Sequence, residues 1–290
     1  MAQASGGMTG AISDIEAFRR LVLERSGLSL GADKDYLLQS RLTPLVREEG
    51  LATLEALFAR LRLDPRGRLA QRAVDAMATH ESYFFRDATP FDQLRDVLLP
   101  AIVARRAGAG GGPKRLRIWS AACSSGQEPY SLAMLLLEER RLMPDWTVEI
   151  LATDMSQPIL DRARRGIYSD FETSRGLSEA RRSRWLKRDG GDWSIAPEVR
   201  ALVEFRPHNL MDGVVGMGRF DLIFCRNVLI YFEQLQKRWA LARLSEALEP
   251  DGALVLGSAE TVVGLDSAFE PTPGLRGAFH PCARDERLRA

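Results

Sequence analysis

The chain has 290 residues, 45% of them hydrophobic and 27% charged, which excludes wholesale disorder and fibrous architectures and leaves room for one large core or two smaller ones. Forty Lys plus Arg against thirty-nine Asp plus Glu give a formal charge of +1, without the basic excess of a dedicated nucleic-acid binder. Three cysteines in no CxxC pair argue against a disulfide framework, and three histidines in no HxxxH pair leave no expected metal site.

No signal-peptide pattern opens the chain and no apolar run approaches the roughly 18 residues that span a bilayer, so a cytoplasmic protein without membrane insertion is expected. Residues 1–11, rich in Gly, Ala and Ser, read as a flexible tail. From there Ile15, Phe18, Leu21 and Val22 follow helical spacing, with Ser13 or Asp14 placed to cap the start. A second amphipathic segment runs from Asp33 to Glu49 with Leu38, Leu42, Leu45 and Val46 on one side, and Pro44 is expected to kink or divide it. Thr53 to Leu63 and Arg66 to Ala78 continue the helical pattern, and no strand is expected before residue 80. The first 90 residues hold twelve basic and twelve acidic side chains, as in a small bundle with solvated faces.

After a helical segment near Phe91 to Arg106, the run from Ala107 to Pro113 is nearly all Gly and Ala and reads as a linker or loop. Beyond it the periodicity changes. Leu116–Trp119, Val148–Ala152, Val203–Phe205, Phe220–Cys225 and Ala253–Leu256 are short apolar strands separated by helical segments, the pattern of a helix-covered parallel sheet. Between Tyr168 and Glu204 charged, irregular text with an Asp189-Gly190-Gly191-Asp192 turn predicts a hairpin-bearing insertion.

Ligands of such sheets bind beyond the carboxyl ends of the strands. The first strand ends in Ser120-Ala121-Ala122-Cys123-Ser124-Ser125-Gly126-Gln127-Glu128-Pro129, a loop of small residues lacking both GxGxxG and GxxxxGK[ST], which favours a ligand without phosphates. Asp154 follows the second strand, where nucleoside-binding sheets accept ribose hydroxyls, although a helix-capping role ahead of Ser156 has equal weight. Asn209 and Leu210 follow the third strand and suit an adenine edge and face. The fourth strand leads into polar Arg226 and Asn227, which a buried core does not need. Cys123 has no matching His and acid partner and reads as a packing residue.

Four stretches, Glu81-Ser82-Tyr83-Phe84-Phe85-Arg86, Gly126-Gln127-Glu128-Pro129-Tyr130-Ser131, Ala152-Thr153-Asp154 and Phe224-Cys225-Arg226-Asn227-Val228-Leu229-Ile230-Tyr231-Phe232, closely resemble the chemotaxis receptor glutamate O-methyltransferase family. The resemblance covers about residues 12–280. It implies a small all-α N-terminal domain followed by an α/β, Rossmann-like methyltransferase domain carrying an antiparallel β insertion. The expected division is a tail over 1–11, a helical domain over 12–88 and a methyltransferase domain over 89–290 with its insertion at about 170–202. The implied reaction uses S-adenosyl-L-methionine to convert glutamates on the cytoplasmic helical bundle of chemoreceptors to methyl esters, leaving S-adenosyl-L-homocysteine.

By motif match, Glu128 holds the methionine amino group or an adjacent part of the cofactor, Asp154 the ribose, and Asn209 with Leu210 the adenine, while Arg226, Asn227 and Val228 close the other side. His80, Ser82 and Arg86 reach over the cofactor; the family more often has Asn and Thr at the first two positions. Arg86 and Tyr231 are the implied catalytic pair, against the alternatives of a structural ion pair and a core aromatic. Lys34, Arg41 and Arg47 are the implied receptor-recognition face, against a solvated surface. The short Arg188 to Trp193 turn implies independence from a receptor C-terminal peptide tether, and nothing demands more than a monomer. Two other readings stay open: a methyltransferase for a different carboxylate, and a non-catalytic cofactor sensor that would have no use for Arg86 and Tyr231.

Overall fold

Four amphipathic helices build the first of two units, which comprises the chain up to Thr79 together with Tyr231–Gln236. The computed structural model describes residues 5–108, 114–265 and 268–282. Helix α1 spans Ser5–Ser26, α2 Asp35–Glu48, α3 Leu54–Leu63 and α4 Arg68–Met77. Phe18, Val22, Leu42, Leu57, Phe58 and Val74 meet in their shared core, with the Phe18 and Phe58 rings 5.3 Å apart. Thr53 caps α3 by accepting the Ala56 N–H at 3.2 Å.

Three expectations change here. Residues 1–4 lie outside the described residues, but α1 already begins at Ser5, because extending a formed helix adds one hydrogen bond per residue ordered. Ser13 and Asp14 therefore lie inside a helix, and Asp14 pairs with Arg62 instead of capping. Pro44 does not divide α2: it lies on the exposed side, as does Ser40, whose carbonyl it leaves without an N–H. The segment Tyr231–Gln236 joins this unit through an antiparallel bridge between Leu28 and Phe232, the Ser29 N–H to Tyr231 carbonyl bond at 2.9 Å, and the Ser29 hydroxyl on Glu233 at 2.7 Å.

The second unit takes His80–Ile230 and the chain from Lys237 on, so the division between units falls at 79/80 and not at 88/89. Its strands are β1 Arg115–Ala121, β2 Thr147–Asp154, β3 Ile167–Tyr168, β4 Leu186–Asp189, β5 Asp192–Ile195, β6 Val203–Pro207, β7 Phe220–Cys225, β8 Leu248–Leu256, β9 Phe269–Pro271 and β10 Ala278–Pro281. Seven form one sheet in the order β6-β2-β1-β7-β8-β10-β9, parallel from β6 to β8 and antiparallel at β10 and β9. All six residues of β7 are buried, as a strand covered on both faces requires. The helix over the N-terminal edge of this unit runs Thr89–Gln93, widens to a π turn at Leu94–Leu98 just before Pro100, which supplies no N–H, and continues over Leu99–Gly108. The remaining Gly-rich run, 109–113, lies outside the described residues.

The insertion is a three-stranded antiparallel sheet, β3-β5-β4, that starts at Ile167, ahead of the expected 170. Its hairpin turns through Gly190-Gly191, with Gly190 at φ +62°. In the large sheet the chain steps from β1 to β2 and β6 on one side and then crosses to β7 on the other. The carboxyl ends of β1, β2, β6 and β7 therefore surround the switch point, where such sheets bind ligands.

Candidate functional site

The β1 loop is held open by backbone that side-chain-bearing residues seldom adopt. Ala122 and Ser124 sit at φ +57° and +52°, followed by Gly126 at +94°. Each non-glycine instance costs about 1–2 kcal/mol. A Cβ at Gly126 would stand 2.9 Å from the Ala163 Cβ and 3.1 Å from the Tyr168 hydroxyl, so only glycine fits. The loop is clamped where Cys123 N–H donates to the Thr153 carbonyl at 2.8 Å, the Tyr168 hydroxyl to the Ser125 carbonyl at 2.7 Å, and the Ser124 hydroxyl to the His80 carbonyl at 2.9 Å. Burial, with Asp154 and Glu128 nearby, pushes the Cys123 thiol well up, which leaves it a packing residue and no nucleophile.

Asp154 ends β2 and is 6% exposed. One carboxylate oxygen accepts the Ser124 N–H at 2.9 Å and the other the Ser156 N–H at 3.1 Å, so this single side chain ties the β1 and β2 loops together. A carboxylate offers about four lone-pair positions, which leaves each oxygen one acceptor site for a hydroxyl. The capping and ribose-binding readings of Asp154 are thus compatible. Its carbonyl accepts the His208 N–H at 3.0 Å, bringing the β6 loop alongside. There Asn209 accepts the Met211 N–H at 3.0 Å and Leu210 is buried. The His208 ring lies edge-on to Trp119 at 5.6 Å, and burial holds its pKa below the ordinary value.

Arg226 follows β7, and its side chain is only 1% exposed. It donates to Glu128 at 3.0 Å, to Asp87 at 3.0 Å and to the Arg86 carbonyl at 2.8 Å. Glu128 receives the Ser120 hydroxyl at 2.8 Å on its other oxygen. The expectation that Arg226 closes the ligand's far side becomes a different role. It is a buried hub that sets the position of Glu128 and of the segment carrying Phe85 and Asp87, both at positive φ. Asn227 has φ +60°, and the turn behind it is held by a residue that motif reading missed. Glu260 accepts the N–H groups of Asn227, Val228, Ile230 and Gly257 on one carboxylate.

Arg86 donates to the Glu81 carbonyl at 3.0 Å and lies 5.5 Å from the Tyr83 ring. Among the described residues it forms no ion pair. His80 and Ser82 are half-buried in the same segment. Tyr231 closes the turn Leu229–Tyr231, is half-buried while Phe232 beside it is buried, and groups with the helical unit. In that unit Arg47 is exposed in the last turn of α2 and Lys34 precedes its first. Arg41 is not a free cation of that face: it donates to the Met77 carbonyl at 2.5 Å, the Ala78 carbonyl at 3.1 Å and the Thr79 hydroxyl at 3.0 Å, satisfying the C-terminus of α4. No helix of the described residues is long and apolar enough to cross a membrane.

Comparison with known proteins matches residues 80–277 to the family model "CheR methyltransferase, SAM binding domain" and residues 13–78 to "CheR methyltransferase, all-alpha domain". The chain is 41% identical to chemotaxis protein methyltransferase Cher2 of Pseudomonas putida over 89% of its own length and 93% of the relative's. It is 42% identical to chemotaxis protein methyltransferase 1 of Pseudomonas aeruginosa, covering 91% and 95%. The chemotaxis protein methyltransferase of Vibrio parahaemolyticus is 43% identical over 89% and 94%.

Proposed function

This chain belongs to the CheR methyltransferase family, and on that premise we propose that it transfers a methyl group from S-adenosylmethionine to glutamate carboxylates on the cytoplasmic helical bundle of a chemoreceptor, giving methyl esters. It is an enzyme, a methyltransferase whose cofactor is S-adenosylmethionine. The observation that carries the reading is the acceptor set at the switch point: two carboxylates, Asp154 and Glu128, each with acceptor capacity left, on loops without a phosphate cradle. That set suits a vicinal diol and an ammonium group. Asp154 takes the ribose hydroxyls, Glu128 the methionine ammonium, Asn209 and Leu210 the adenine, and Asn227 and Val228 the opposite side, with His80 and Ser82 lining the entry.

When bound, the cofactor supplies an electrophilic methyl on a sulfonium. The acceptor glutamate, with an ordinary pKa near 4.3, is already anionic at pH 7, so no general base is required. The chain's work is to align the carboxylate and strip its water. Arg86 suits the first task because, among the described residues, its guanidinium meets one carbonyl and the Tyr83 ring, leaving donors for one acceptor oxygen while the other attacks. Tyr231, without a ring partner among the described residues, is assigned to orienting the acceptor. Arg86→Ala is expected to lower kcat about thirtyfold, in line with losing ~2 kcal/mol of charge-assisted bonding, with cofactor affinity changed less than threefold. Wild-type kcat on a saturating receptor fragment would remove Arg86 from the mechanism.

We further propose that Lys34 and Arg47 meet acidic receptor helices, that the protein acts in the cytoplasm as a monomer, and that it needs no receptor tether, a reading supported by the two-residue turn between β4 and β5. Reversing both charges, Lys34→Glu with Arg47→Glu, should raise the receptor KM several-fold at low salt and leave the cofactor KM alone. Equal receptor KM values would return both residues to a solvated surface. The reaction itself is tested with methyl-labelled cofactor and receptor fragments. Label released as methanol by mild base marks carboxyl methylation, whereas base-stable label would place the methyl on another atom and overturn the reading.

A further inference from the structure

We infer that Glu260 is a positioning residue for cofactor binding, acting by holding the turn after β7 in the one backbone conformation that presents Asn227 and Val228. The inference rests on the proposed reading that those two residues line the cofactor. Glu260 stands in the loop after β8, is 9% exposed and makes no ion pair among the described residues. Its charge is met entirely by backbone. One oxygen accepts Asn227 N–H at 2.8 Å and Gly257 N–H at 2.7 Å; the other accepts Val228 N–H at 2.9 Å and Ile230 N–H at 3.3 Å. Three of those four donors belong to the turn, and the fourth belongs to the end of the neighbouring strand, so one carboxylate joins the carboxyl ends of β7 and β8.

Only an ionised carboxylate fits this set. Glutamine has one carbonyl oxygen, and its amide NH2 would oppose the second pair of N–H groups. Aspartate is one methylene short of the same reach. The backbone being held includes Asn227 in the left-handed region at φ +60°, a conformation that asparagine adopts more readily than most side-chain-bearing residues. Position 257 is bare for the same reason: a Cβ there would stand 2.8 Å from the Glu260 Oε2 and 3.0 Å from the Asn227 N. Glycine lets the carboxylate lie flat against both strand ends.

The test measures S-adenosylhomocysteine affinity by calorimetry and the thermal midpoint for the full chain and for Glu260→Gln, Gly257→Ala and Asn227→Gly. Asn227→Gly keeps the left-handed backbone while removing the side chain that the proposed reading assigns to the cofactor. Glu260→Gln is expected to weaken binding about ten- to thirtyfold, as for the loss of one pair of charge-assisted bonds, with the receptor KM unchanged. Gly257→Ala should do the same with Glu260 intact, which keeps the test open if Glu260→Gln does not fold. A purely structural role predicts a lowered midpoint with wild-type affinity in the folded protein. That result in both variants, beside weakened binding in Asn227→Gly, overturns the inference alone. Wild-type affinity in all three variants would overturn the reading that the turn lines the cofactor, and the inference with it.

Discussion

Replacing Asp154 with alanine is expected to raise the dissociation constant for S-adenosylmethionine at least about a hundredfold. Two losses combine. The ribose loses its acceptor, and the N–H groups of Ser124 and Ser156 lose theirs in a site that is 6% exposed. A buried donor left unsatisfied costs about 1–3 kcal/mol, so the β1 and β2 loops drift apart before any ligand contact is counted. The midpoint of unfolding falls with the affinity. Asp154→Asn separates the contributions: it keeps the volume and one acceptor oxygen but turns an NH2 toward one backbone donor, and should land between wild type and Asp154→Ala in both readouts. Calorimetric titration with S-adenosylhomocysteine is the measurement, and unchanged affinity in Asp154→Ala removes the ribose assignment.

The second large effect is on stability. Arg226→Met preserves much of the side chain's length but withdraws the cation from between Glu128, 12% exposed, and Asp87, 34% exposed. Breaking a buried pair by removing one partner costs about 3–5 kcal/mol, because the surviving buried charge, here Glu128, has lost both water and its counterion, whereas Asp87 keeps some of its water. Substituting both partners is much less costly. Arg226→Met with Glu128→Gln should therefore recover a large part of the loss seen in Arg226→Met alone, read as denaturant midpoints at constant slope. A double variant no more stable than Arg226→Met would show that the arginine's packing, and not the pairing, carries the stability. Neither variant is expected to bind the cofactor like wild type, since Glu128 is oriented by this arginine.

The parallel part of the sheet is legible in the sequence because β1, β2, β7 and β8 carry apolar runs that no surface element would tolerate and β6 alternates Val203 and Phe205 with charged residues, and the candidate site is read from what comes after each strand. Asp154 and the Asn209-Leu210 pair were singled out in this way. Strands β9 and β10 were not. They are three and four residues long and each contains a proline, so neither alternation nor length marks them. Glu260 escaped for another reason. Its partners are four backbone amides, and a side-chain motif does not display those. Arg41 misled in the opposite sense: its spacing from Lys34 and Arg47 fits a basic face, but the carbonyls ending α4 claim it, and they become its neighbours only through tertiary packing. Arg226 was placed at the right strand end, yet which of its neighbours it would serve depended on the segment 86–87, distant in sequence.

Because Tyr231–Gln236 completes the unit that begins the chain, through Leu28–Phe232 and Ser29–Tyr231, that unit is discontinuous in sequence. On the ribosome its four helices emerge early but wait for the segment beyond Ile230. At about 5–20 residues per second the delay is on the order of ten seconds or more. The nascent helical unit spends that interval without its last strand-like segment, so the exposed backbone near Leu28 and Ser29 is where a chaperone would have most to protect during synthesis. For the same reason a fragment cut at the 79/80 boundary leaves the N-terminal piece without Tyr231–Gln236, whereas the other piece keeps its own unit and carries that segment without its partners.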